Sequence, residues 1–217
     1  MRLLLPFVML CSVPAIAQRS PVEEARRRLV DLGIAPRDLA GLRVTDSYTD
    51  ARTGVQHSWM KQQHLGVDIF NSEVAIHLRA NGEVVHLTHR LVSGLEKMPA
   101  SAQAGIAPEA ALDLVMAMDG APSPTPAIAR HSPETHRWDF VGDPAPFAEL
   151  VWLAVDGNLR LAWNVNHFLP NGSHWWNVRI DAMNGQELER NDWVASCGGM
   201  EHDHPLEGPL PAPAAPN

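Results

Sequence analysis

The 217-residue chain has room for one domain of moderate size or two small ones, and its 45% hydrophobic content supplies a real core, which excludes wholesale disorder. Its formal charge of −8 excludes a nucleic-acid binder, which needs a basic footprint.

The chain opens MRLLLPFVMLCSVPAIAQRS. Arg2 is a positive start, Leu3 to Val13 an apolar run, and Ala15-Ile16-Ala17 a small-x-small cleavage site. This pattern predicts a secretory signal over 1–17, cut after Ala17. The apolar run is too short to span a bilayer, and Leu10 stands before Cys11 where a lipoprotein signal needs a small residue. Cleavage removes one base, Arg2, and moves the formal charge from −8 to −9. It leaves Cys197 without a partner for an internal disulfide, so stability must come from packing. The expected product is secreted or periplasmic, with no membrane attachment after cleavage.

Ser20 fits a helix N-cap, Pro21 the first turn, and Glu23 closes a capping box. Val22, Ala25, Leu29 and Leu32 keep helical spacing up to Gly33, which predicts a helix over 21–32. Residues 42–92 read as strands. Leu42–Thr49 and Val55–Gln63 flank the loop DARTG, and Leu65-Gly66 breaks the second run. The next strand, Val67 to Arg79, switches the parity of its apolar positions, which predicts a bulge near Asn71-Ser72. Asn81-Gly82 predicts a two-residue type I′ hairpin. Such a loop pairs Leu78 with Val85 and His77 with His86, so Val74, Ile76, Leu78, Val85 and Leu87 form a core face.

A second helix is expected over 107–119, with a break at 121–126. The Pro-rich stretch 127–147 reads as irregular, with one short strand near 137–141. Leu150–Val155 and Leu159–Val165 read as a hairpin around Asp156-Gly157. Leu150, Trp152 and Ala154 then share a face with Leu159, Leu161 and Trp163, and the second helix is expected over the other, partly polar face. PNG at 170–172 turns the chain, and Trp175–Asp181 and Glu187–Val194 flank the turn DAMNG. The Gly-, Pro- and His-rich stretch from Cys197 onward predicts a flexible tail. The pattern is α+β: antiparallel sheets with segregated helices in two small subdomains, 18–104 and 105–196, before a tail at 197–217.

Tyr48-Thr49-Asp50, Gly54-Val55, His57, Gln62-Gln63, Gly66 and Phe70-Asn71, followed by an Asn-Gly hairpin, stand in the order of the fungalysin/thermolysin propeptide (FTP) module, which residues 42–92 resemble. The later block, with Leu161-Ala162-Trp163 and Asp181-Ala182-x-x-Gly185, looks like the PepSY-like second half of the same pro-regions. As a whole the chain is similar to the pro-region of bacterial fungalysin-type zinc metalloproteases. The resemblance implies a partner, the zinc protease domain, which a pro-region helps to fold and holds inactive by surface fit. None of the 11 histidines is followed by Glu, so the H-E-x-x-H zinc helix of a protease is missing. The expectation is therefore a non-catalytic, propeptide-like inhibitor or folding assistant. The alternatives are a truncated zymogen pro-region without activity of its own, or a periplasmic ligand- or metal-binding protein.

No Ser/His/Asp set and no paired carboxylates can be assembled, and no cofactor motif is present. His77 and His86 face each other and are candidates for half a metal site, against two solvated imidazoles. His202 and His204, with Glu201 and Asp203, form a metal-attracting tract in the tail. Trp152 and Trp163 read as core. Trp175 and Trp176 are adjacent, so a strand sends them to opposite faces and frees one for a partner. Cys197 is a candidate for the open coordination position of a partner's zinc, against an unpaired or buried thiol.

Overall fold

A computed structural model describes residues 20–120, 126–169 and 172–194. The predicted signal at 1–17, most of the break at 121–126, part of the 170–172 turn, Cys197, His202, His204 and the tail lie outside the described residues. The chain forms helix α1 (Pro21–Asp31), strands β1 (Leu42–Thr49), β2 (Gln56–His64), β3 (Val67–Leu78) and β4 (Val84–His89), and helix α2 (Pro108–Met118). Strands β5 (Ile128–Ser132), β6 (Arg137–Phe140), β7 (Phe147–Val155), β8 (Asn158–Phe168), β9 (Trp175–Asp181) and β10 (Glu187–Asp192) follow. The fold is α+β, with both helices set against one mixed, mostly antiparallel sheet ordered β1-β2-β3-β7-β8-β9-β10. β4 pairs with β3, and the β5–β6 hairpin pairs with β7.

Local chemistry sets the ends of these elements. At α1 the Ser20 side chain accepts from the Glu23 N–H, and the Glu23 carboxylate accepts from the Ser20 N–H, as the capping box requires. The loops Asp50–Gly54 and Asp181–Gly185 share the pattern Asp-Ala-x-x-Gly and the same geometry. The Asp50 carboxylate accepts from the N–H groups of Arg52 and Thr53, both at 2.8 Å. The Asp181 carboxylate accepts from Met183 and Asn184 in the same way. The closing glycine donates to the aspartate carbonyl in both loops.

β3 organises the molecule. Asn71 has a φ of +58°, and between the pairs Gln63–Asp68 and Lys61–Glu73, β3 places four residues, 69–72, where β2 places one, Gln62. The expected bulge is therefore present and larger than one residue. It rotates the two halves of β3 toward different cores. Val74, Ile76 and Leu78 pack with Ala25, Leu29 and Met60 beneath α1. Val67 and Ile69 join Trp152, Trp163, Ile180 and the α2 residues Leu112 and Val115. Between the cores, Ile69 pairs in parallel with Trp152, which departs from the all-antiparallel expectation.

Four further expectations are corrected. Asn81-Gly82 is not a two-residue type I′ turn: the Gly82 N–H donates to the Arg79 carbonyl and the Arg79 N–H to Glu83, giving a three-residue loop with only Gly82 at positive φ (+83°). The extra residue shifts register, so Leu78 pairs with Val84 while His77 still pairs with His86. Val85 falls in the bulge and is exposed, and Val84 takes its expected place against the α1 core. Residues 127–147 are more ordered than composition suggests, because β5 and β6 pair and β6 is satisfied by β7. Finally, α2 covers the Leu150–Trp152–Trp163 face, not the partly polar one. Among the described residues the polar side carries a smaller cluster, Val151, Leu153 and Ala162 with Phe70, Val155 and Leu188, beside a buried Arg179.

The β7–β8 hairpin keeps the expected register, with Leu150 opposite Trp163, Trp152 opposite Leu161 and Ala154 opposite Leu159. Its Asp156-Gly157 loop has positive φ at both residues (+49° and +79°), as a type I′ turn needs. Leu65-Gly66 is a second such turn, at +51° and +80°. Trp152 and Trp163 are core residues whose indole N–H groups donate to the carbonyls of His64 and Ile106.

Candidate functional site

α1 packs on one face of β1–β4, and the other face presents a row of rings. Tyr48 on β1 stacks on His57 and Trp59 of β2, with centroids 5.0 and 5.6 Å apart. His57 meets His77 of β3, with its Nδ1 2.8 Å from the His77 Nδ1. His77 stacks on His86 of β4 at 5.9 Å, with rings almost parallel. Trp59 sets its ring edge-on to His77. The row exists because His57 pairs with His77 and His77 with His86 in register, so all three histidines share one face. Burial, with His57 and His86 as neighbours, holds the His77 imidazole below its ordinary pKa. A shallow depression of about 480 Å³ beside the row is lined by Trp59, Glu73, Ala75, Thr88, His89 and Arg90.

The expected His77–His86 pair is thus present, and the structure adds His57 to it. Among the described residues no group of three His, Cys, Asp or Glu is arranged to hold a metal ion. His57 stands in the sequence as a motif residue, but its partner could not be read there. The Asn71 bulge lies between them and hides the register of β2 on β3.

Behind the row lies a polar staple. Gln62 is buried, donates to the carbonyls of Asp38 and Val92, and accepts from the Val92 N–H and the Ser72 hydroxyl. Asp38 in turn accepts from the N–H groups of Gly94 and Leu95. The motif residues Asp50, Gly54, Gln62, Gly66 and Asn71 thus turn the chain or satisfy buried backbone, and hold the four strands in register.

At the far end of the sheet the two adjacent tryptophans part as expected. Trp175 is 38% exposed, beside Trp193 and edge-on to Phe168. Trp176 is half-buried, stacked on His174 beneath the Arg190 guanidinium. A third cluster gave no sequence signal. Asp119, just past α2, accepts from Arg190 at 2.6 Å and lies 2.7 Å from the Nε2 of the buried His167. The other nitrogen of His167 is buried without a partner. The cluster ties α2 to β8 and β10 rather than opening to a substrate. On the polar face, burial pushes the Glu149 carboxyl above its ordinary range.

The chain is 29% identical over 164 residues to extracellular metalloproteinase 3 of Trichophyton equinum, a match covering 71% of this chain and 26% of that protein. It is 26% identical over 186 residues to extracellular metalloproteinase 2 of Phaeosphaeria nodorum, covering 82% and 28%. The chain therefore spans about a quarter of the length of these relatives. Among solved structures it aligns with the Bacillus megaterium YpeB C-terminal domain at 12% identity and a TM-score of 0.30, over 81% of this chain and 66% of that one. Residues 40–91, which hold all four strands of the ring-bearing face, match the Fungalysin/Thermolysin Propeptide Motif, and the chain resembles the pro-region of fungalysin-like extracellular metalloproteinases.

Proposed function

We propose that the protein is an exported, non-catalytic pro-region that associates with the catalytic domain of a zinc metalloprotease, holding it inactive or assisting its folding. The observation that carries this reading is the match of residues 40–91 to a propeptide motif. The nature of the motif residues supports it. They build turns and buried polar staples, and a pro-region acting by surface fit needs that and no nucleophile. The relatives are extracellular metalloproteinases, and no helix among the described residues is long and apolar enough to cross a membrane. Trp175 is the exposed member of the tryptophan pair and the one available to a partner.

Titrating the chain into the catalytic domain of a fungalysin-type metalloprotease tests the reading, with peptide hydrolysis and refolding yield as readouts. Saturable loss of activity, or a higher yield of active enzyme, is the expected result at roughly 10 µM chain or below. No effect on either readout at that concentration removes the reading.

A further inference from the structure

We propose that the His57–His77–His86 row is a proton-operated switch that loosens the β2–β3–β4 sheet when its surroundings become mildly acidic. The three rings stand on adjacent strands, on one face and in register. Near neutrality they are compatible neighbours. The 2.8 Å contact between the His57 and His77 Nδ1 atoms is a hydrogen bond only while one of them is an unprotonated acceptor. Once both rings are imidazolium, both nitrogens carry protons. The bond is lost and two cations face each other well inside a Debye length of about 8 Å, where salt does little to separate them. The parallel stack of His77 on His86 adds a third cation beside the second.

The surrounding charges do not undo this. On β1, Asp46 pairs across from Trp59, and Tyr48 covers His57 with a neutral ring. In the β1–β2 loop, the Asp50 carboxylate feels His57 but is engaged by the N–H groups of Thr53 and Arg52, which hold its pKa low. Lys61 of β2 pairs across from Glu73 of β3, and Arg79, next on the face after His77, is bridged to Glu83. Arg90, whose backbone N–H donates to the Glu73 backbone carbonyl, follows β4 and brings a cation, not a carboxylate. None of these contacts supplies His77 with its own carboxylate.

The direction follows from linkage. A histidine whose pKa is depressed by folding takes up its proton more readily in the unfolded chain. Its contribution to stability is complete above the ordinary value of about 6.5 and is lost as pH falls through the folded value. If the chain holds a protease, acid would weaken that hold; this consequence rests on the pro-region reading, whereas the loosening does not.

The test is the melting temperature of the whole chain between about pH 7.5 and about pH 5, for wild type and for His77→Phe, which keeps a ring but cannot titrate. Wild type is expected to lose ~2–4 °C more than the variant over that range. Parallel profiles would overturn the proposal. Should His77→Phe fail to fold, His57→Phe takes its place. Independently, an NMR titration of wild type reads His77 directly, and a midpoint at or above about 6.5 would overturn the proposal as well. Repeating the protease titration at both pH values separates the two ideas: a chain that inhibits nothing can still show the divergent melting profiles, and an inhibitor can still lack them.

Discussion

Gln62 shows what a motif residue does here. Its amide meets four partners, two carbonyls, one N–H and one hydroxyl, in a place where water does not reach. A buried amide so engaged is costly to remove, because each abandoned partner keeps its desolvation penalty. Gln62→Leu, close in volume, is expected to cost about 2–4 kcal/mol, measured by urea unfolding. A loss under about 0.5 kcal/mol would mean that the staple is replaced by solvent. Gly82 makes the complementary case. A Cβ added there meets nothing within 4 Å, so the only obstacle is its φ of +83°. Gly82→Val is expected to destabilise by about 1–3 kcal/mol through backbone strain alone, with Gly82→Ala costing less because Ala is not β-branched. Equal melting temperatures for both variants and wild type would contradict that assignment.

Among the elements, β3 decides where the cores lie. A straight strand of its length would put Phe70 on the face of Val74, Ile76 and Leu78 and send Val67 and Ile69 to the opposite face. The bulge at Asn71 instead gives one strand to two cores, one under α1 and one under α2. An asparagine tolerates positive φ better than most residues that carry a Cβ. Asn71→Val should therefore destabilise more than Asn71→Gly, with the variants separated by at least about 1 kcal/mol in chemical denaturation. If they prove equal, β3 reaches both cores without the left-handed residue.

For the whole molecule, the question is whether the stretch around 18–104 stands by itself. Val67 and Ile69 are buried at 1% and 0% exposure, and their neighbours belong to the α2 core. The Trp152 indole also donates to the His64 carbonyl at the end of β2. Cutting the chain near 104 bares both side chains, each worth about 1.5–3 kcal/mol when buried, and opens the β3 edge that β7 covers. Residues 18–104 alone should melt below the intact protein and self-associate, as read by calorimetry and light scattering. A fragment as stable and monomeric as the whole would show that the two cores are independent.

The sequence by itself determined what is local. The α1 capping box, the Asp-Ala-x-x-Gly loops, the Asp156-Gly157 turn and the β7–β8 register depend on residues a few positions apart, and their side chains or φ requirements dictate the geometry. Alternation of apolar residues marked Trp152 and Trp163 as core for the same reason. Even local signals failed where two loops compete for one motif: Asn-Gly fits both a two-residue turn and a three-residue loop, and the choice moved Val85 out of the core. Tertiary structure alone decided the rest. His57 and His77 are 20 residues apart across a bulge of unreadable length, His64 and Trp152 are 88 apart, and Asp119 meets residues 48 and 71 positions away. Such contacts follow from register and packing, which no short stretch of sequence encodes, and the ring-bearing face and its proton chemistry belong to that level.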